Sequence, residues 1–142
     1  MIKIFALLAL LTCSALAAEP EYQPPLDILK KNGELTLSDT ASYFVFSQDG
    51  TFRSFPVGMS GRMLTGKWTA KETNPIFMTV IAKVGWMNGI QPQDEYRKIV
   101  FVIYGGSSKP SSPTMRSDIK NIYDGYFMID ELTRIPKPEP TP

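Results

Sequence analysis

The side chains best equipped for acid–base chemistry in this sequence are carboxylates: Asp94-Glu95, Asp118, Asp124 and Asp130-Glu131. Two carboxyl groups flanking a bond at a suitable separation can cleave a glycoside. Neighbouring residues on a strand point to opposite faces, so neither adjacent pair makes a natural dyad. A dyad drawn from distant segments stays open, against the ordinary role of solvated surface. The chain has no histidine, and its one cysteine is Cys13. If residues 1–17 are a removable leader, the mature chain has neither imidazole nor thiolate. Such a chain has no imidazole base, thiolate nucleophile or ordinary zinc site. We therefore expect no enzyme, assign no catalytic residue and expect no cofactor.

Two metal chemistries are weighed on the residues. Ser47-Gln48-Asp49-Gly50-Thr51 looks like part of a calcium loop, but only Asp49 supplies a carboxylate, where such a loop needs several oxygen ligands and a closing glutamate. Met59, Met63, Met78, Met87, Met115 and Met128 offer thioethers to a soft ion such as Cu(I). No histidine or cysteine reinforces them, and methionine commonly fills gaps in cores. No metal site is expected.

The elements that would position these residues begin with the leader. Lys3, an apolar run from Ile4 and the small-x-small site Ala15-Leu16-Ala17 have the layout of a secretory signal peptide. The apolar run is shorter than the roughly 20 residues of a spanning helix. Cys13 lies inside that run behind a threonine, which disfavours lipidation. The mature chain is expected to start near Ala18 and to be exported, to the periplasm or beyond. Removing Lys3 leaves equal numbers of basic and acidic residues, so net charge alone favours neither nucleic acid nor an anionic membrane.

Twelve prolines and ten glycines among 142 residues suit a loop-rich β protein of one domain. Prolines 20, 24 and 25 precede a short helix or arm, with helix expected over 26–31 and Gly33 ending it. From residue 34, runs rich in Val, Ile, Thr, Phe and Tyr predict strands over 34–38, 42–47, 51–57, 63–71, 76–86, 96–104 and 126–132. The fold class is mainly β, an antiparallel meander closing into a small barrel or strongly curved sheet. The organisation is 1–17 leader, 18–33 arm or helix, 34–134 meander and 135–142 proline-rich tail. Both faces of 76–86 and 96–104 are apolar at their centres, so these strands are expected to be central and covered on both sides. Residues 105–115 are expected to be a flexible polar connection. Ser117 is read as the cap of a short helical turn before Asp124-Gly125.

In Phe44-Val45-Phe46-Ser47-Gln48-Asp49-Gly50-Thr51-Phe52, a three-residue loop pairs Phe46 with Phe52 and gathers Phe44, Phe46 and Phe52 on one face. It requires Gly50 in a left-handed conformation. The other face then carries Tyr43, Val45, Arg53 and Phe55, and needs a cover. This hairpin, with Gly66-Lys67-Trp68 and Lys98-Ile99-Val100-Phe101-Val102, resembles small secreted bacterial lipocalin-like proteins over about residues 40–104. The Gly-x-Trp follows a hairpin instead of opening the first strand, unlike true lipocalins. The resemblance implies a cleft for a small apolar or amphipathic ligand and no chemistry. Its candidate ligand-binding residues are Phe44, Phe46, Phe52, Trp68, Trp86 and Phe101, weighed against an ordinary core. The alternative is a cell-envelope interaction module that binds a protein through an exposed aromatic face of the hairpin or the proline-rich ends. No nucleic-acid partner and no membrane span are expected.

Overall fold

The computed structural model describes residues 22–58, 61–86, 94–110, 118–119, 121–129 and 133–140. The leader, Met59, Met87, Met115, Ser117 and Asp130-Glu131 lie outside the described residues. Helix α1 spans Pro25–Asn32, with proline in its first turn, Asp27 near its N-terminus and Lys30 and Lys31 in its last turn. These charges complement the helix dipole. Gly33 ends it in a left-handed conformation, its N–H donating to the Leu29 carbonyl at 2.8 Å. Leu29 is buried, and Leu26 and Ile28 pack beside it against the main core.

Strands β1 (Glu34–Ser38), β2 (Ser42–Ser47), β3 (Thr51–Pro56), β4 (Arg62–Lys71), β5 (Ile76–Trp86) and β6 (Tyr96–Ile103) form an antiparallel meander. The sheet curls into a half-barrel. Period-two alternation sends Phe44, Phe46, Phe52, Leu64, Met78, Val80, Ala82, Val84, Ile99, Phe101 and Ile103 to the concave side, where they make one core with Leu35 and Leu37. The hairpin has the expected register, with Phe46 opposite Phe52 and Val45 opposite Arg53. Gly50 has φ 88°. Asp49 Oδ1 accepts from the Thr51 N–H at 2.9 Å and from its hydroxyl at 2.6 Å, so this carboxylate is engaged in the turn itself.

Four short strands follow: β7 (Ser108–Pro110), β8 (Asn121–Tyr123), β9 (Tyr126–Met128) and β10 (Thr133–Ile135). β8 lies parallel to β1 at Leu37 and Tyr123, and antiparallel to β7. β9 lies antiparallel to β6, with Phe101 opposite Met128. One continuous segment, 121–128, therefore bridges the two edges of the meander and bends between them at Asp124-Gly125. The bend crosses a second backbone closely: a Cβ on Gly125, at φ 88°, would lie 1.2 Å from the Gly105 carbonyl oxygen. Only glycine fits there. Asp124 Oδ1 accepts the Ser107 N–H at 2.9 Å, and its Oδ2 meets Lys109 Nζ at 2.8 Å.

Several expectations change. Residues 108–110 pair as β7 within the stretch expected to be a flexible connection, because β8 offers them a partner. Residues 121–123 are a strand and not a helical turn. The strand expected over 126–132 ends at Met128, and the chain returns to β6 as β10 at residue 133. The aromatic residues of the hairpin's outer face are not exposed, although Arg53 is: Tyr43, Val45 and Phe55 are buried in a second cluster with Ile119, flanked by Val57, Met63 and Ile122. The chain after β7 supplies that cover. β5 and β6 are central, but Phe77, Thr79 and Ile81 on the outer side of β5 are only half-buried, short of the full cover expected. Among the described residues no helix is long and apolar enough to cross a membrane.

Candidate functional site

The concave interior is filled by its own rings. Phe46 stands edge-on to Phe52 at 5.1 Å and to Phe101 at 5.2 Å, and Phe44 edge-on to Phe101 at 5.1 Å. These are favourable aromatic geometries. Phe46 and Phe101 have no exposed surface, and Phe52 is 2% exposed. Four of the six candidate residues, Phe44 among them at 5% exposed, are thus core, as expected of a small barrel that packs its own side chains. The side chain of Trp86, at the end of β5, lies outside the described residues. Phe44 and Trp68 reach openings at opposite ends of β1 to β4.

The opening at Phe44 is a pocket of about 210 Å³, bounded also by Leu64, Ile99 and Met128 and by Asp39, Ser54 and Arg62. Asp39 is committed to the β1–β2 turn, its Oδ1 accepting from the Ala41 and Ser42 N–H groups at 2.8 and 2.6 Å. Small-molecule sites run from roughly 300 Å³ upward. This pocket is below that range.

The opening at Trp68 is larger, a cleft of about 530 Å³ between α1 and the end of β4. Leu26, Leu29, Trp68 and Ala70 give it apolar walls, and Lys30, Gln48, Lys71 and Glu72 stand around them. Its geometry is fixed by the hairpin. The Trp68 indole N–H donates to the Ser47 carbonyl at 2.9 Å, and its backbone N–H donates to the Gly50 carbonyl at 3.0 Å. Its ring stands edge-on to Phe46 at 6.1 Å. With its polar atom satisfied by the protein, the rest of the indole offers an apolar wall held in one orientation. The opposite wall is α1, where Leu26, Leu29 and Lys30 share a face by their spacing of three and four. Sequence reasoning found Trp68 but not these helix residues. Their i, i+3, i+4 spacing carried the signal.

The carboxylates are spread among separate tasks. Asp94 stands 4.0 Å from Lys83, Glu95 pairs with Arg97, and Asp124 pairs with Lys109. The hydrogen bond to Lys109, with the Ser107 N–H, holds the Asp124 carboxyl below the usual range. Asp118 and Glu34 both line a polar groove of about 300 Å³ beside β1. Glu34 there accepts from Arg53 at 3.1 Å, an exposed surface pair. Among the described residues no group of three or more acidic residues, histidines or cysteines could hold a metal ion. Met78 is fully buried, and Met63 and Met128 pack on the two cores, as gap-fillers do.

Two tyrosines, buried Tyr123 and half-buried Tyr126, are perturbed. Burial pushes the Tyr123 hydroxyl up to about 12, with Tyr22 and Asp124 adding to it, and its O–H donates to the Gln23 carbonyl at 3.0 Å. Burial likewise pushes Tyr126 up to about 12, with Asp39 contributing. Both hydroxyls are neutral at ordinary pH, and that of Tyr123 ties the bridging segment to the chain before α1. Comparison with protein-family models, curated proteins and solved structures finds no match to this chain.

Proposed function

We propose that this is an exported, non-catalytic binding protein that holds a small amphipathic molecule in the cleft between α1 and β4. The observation that carries the reading is that cleft: about 530 Å³, with Trp68, Leu26 and Leu29 as apolar walls and two lysines, Lys30 and Lys71, against one acid, Glu72, with Gln48 at its margin. Its volume falls in the range of small-molecule sites, and mostly apolar walls with a few polar groups are their usual composition. The lysines suit an anionic head group, with the apolar part of the ligand lying along the indole. The filled interior argues that the ligand lies beside the rings and not among them, which moves the site from the calyx of a lipocalin-like fold to its end.

Native mass spectrometry of the purified protein tests for a retained molecule. Titration with the anionic amphiphile 8-anilinonaphthalene-1-sulfonate tests the cleft directly. Saturable binding that quenches or shifts tryptophan fluorescence is expected. Trp68→Ala should weaken it by tenfold or more, the scale of losing one large apolar contact. Absence of binding, or binding indifferent to Trp68→Ala, overturns the reading.

A further inference from the structure

The chain's balanced charge conceals a one-sided distribution. Strands β2 to β10 contain no aspartate or glutamate at all. The described acids other than Glu34 lie in α1, turns and loops. Among the described residues, the convex side of strands β4, β5 and β6 themselves consequently carries cations and no acid. Register sets these residues in rows across the strands. Lys67, Ile81 and Lys98 form one row, and Thr65, Lys83 and Tyr96 the next. Lys67, Lys83 and Lys98 are all exposed, and of them Lys83 has a described acidic neighbour, Asp94 at 4.0 Å. Asp130 and Glu131, which follow Ile129 in the chain, lie outside the described residues.

The same face is apolar toward its other end. Phe77, Val102 and Phe127 form a row, and the Ile129 N–H donates to the Val100 carbonyl beside it. Tyr104 pairs with Phe127 at 5.7 Å between ring centres. Tyr104, Phe127 and Ile129 are 58%, 50% and 54% exposed, a cluster of large apolar side chains in water. Solubility alone would be served by mixed charges and does not require aromatics in the open. Each two-residue step along a strand covers about 7 Å, so the lysine rows begin within about 15 Å of the aromatic row.

We propose that this convex face docks on an anionic lipid surface, with Tyr104, Phe127 and Ile129 entering the head-group boundary and Lys67, Lys83 and Lys98 meeting lipid phosphates. The charge complementarity is direct, and two features select lipid over an acidic protein. The cations are lysines, compact point charges on flexible stems, which suit a diffuse field of head groups better than directional pairing. Protein interfaces are depleted in lysine and enriched in arginine, whereas tyrosine beside aliphatic residues and lysine is the composition of a membrane interface. This surface shares none of these residues with the cleft at Trp68.

Co-sedimentation of the purified protein with phosphatidylcholine vesicles, with and without phosphatidylglycerol, tests the proposal. Binding is expected only to the anionic vesicles and should fall steeply as salt rises. Lys67→Gln and Lys98→Gln should each weaken it about fivefold. Phe127→Ser with Ile129→Ser should reduce it to the level of neutral vesicles, while Trp68→Ala leaves it unchanged. All these sites but Trp68 are exposed, and circular dichroism verifies that each variant is folded. Equal binding to both vesicle types, or anionic binding indifferent to the lysine variants, overturns the proposal. So does an absence of vesicle binding together with saturable binding to poly-glutamate, which assigns the face to an acidic protein.

Discussion

The two faces of β5 and β6 are made by the same strands and differ in almost every physical respect. On the concave side Met78, Val80, Ile99 and Phe101 are fully or almost fully buried. On the convex side Phe77, Ile81 and Val100 are half-buried beside exposed Lys83 and Lys98. Alternation separates the two sets cleanly, yet both contain aromatic and branched residues, so hydrophobicity alone does not say which face is inside. What decides is where the rest of the chain can supply a cover. The bridging segment and α1 close the concave side, while Ile119 packs on the outer face of the hairpin with Tyr43, Val45 and Phe55.

Truncating one ring on each side separates the two faces most directly. Phe101→Ala, in the centre of the ring cluster, should cost about 3–5 kcal/mol in urea unfolding, whereas Phe127→Ala on the outside should cost less than about 1 kcal/mol. Similar losses would mean that the convex face is packed after all. Next in size is the alkaline limit of the concave side. Tyr123 and Tyr126 have folded values raised to about 12 from an ordinary 10.0. A raised value stabilises the fold fully below the unfolded value and loses that contribution as pH climbs through the folded one. Denaturation midpoints should therefore stay flat up to about pH 10 and fall toward about pH 12. In Tyr123→Phe that alkaline fall should be shallower.

Smaller effects sharpen the boundary between the faces. Tyr123→Phe at neutral pH removes the hydrogen bond to Gln23 and leaves its carbonyl unpaired, for a loss of about 1 kcal/mol. At Asp124 the sign is reversed. Its carboxyl is held low by Lys109 and Ser107, so its contribution is present above the ordinary value of 3.8 and disappears as pH falls below it. Lys109→Met should weaken this acid dependence, read as a smaller drop in melting temperature on acidification. Least of all, the exposed Arg53–Glu34 pair should contribute under about 0.5 kcal/mol in a double-mutant cycle, and salt should erase it.

What the sequence made legible follows from the same physics. The six meander strands announce themselves through β-branched and aromatic runs, and the hairpin register follows from keeping Phe44, Phe46 and Phe52 together. Strands β7, β8 and β10 have three residues each, with compositions such as Ser-Lys-Pro that favour no strand locally. They exist because distant partners are there to pair with, information that a local pattern lacks. Trp68 was legible as a large apolar side chain next to glycine. Its cleft was not, because the opposite wall belongs to a helix whose placement depends on the finished sheet. The lysine face was concealed by the chain's near-zero net charge, which averages over positions that the fold sorts.

The bridge at 121–128 has a consequence for how the molecule is made. Its anchor on β1 joins Leu37 to Tyr123, a contact between residues far apart in the chain. Until that segment has emerged, β1 and β6 both present unpaired edges, and such edges recruit strands from other molecules. Long-range pairing is also slow to form, since a long loop must close before any contact compensates for it. A nascent or truncated chain ending before residue 121 would therefore hold a nearly complete meander that is sticky at both sides. Such chains should accumulate in aggregates, while chains extending past Ile135, with both β9 and β10 on the β6 edge, should not.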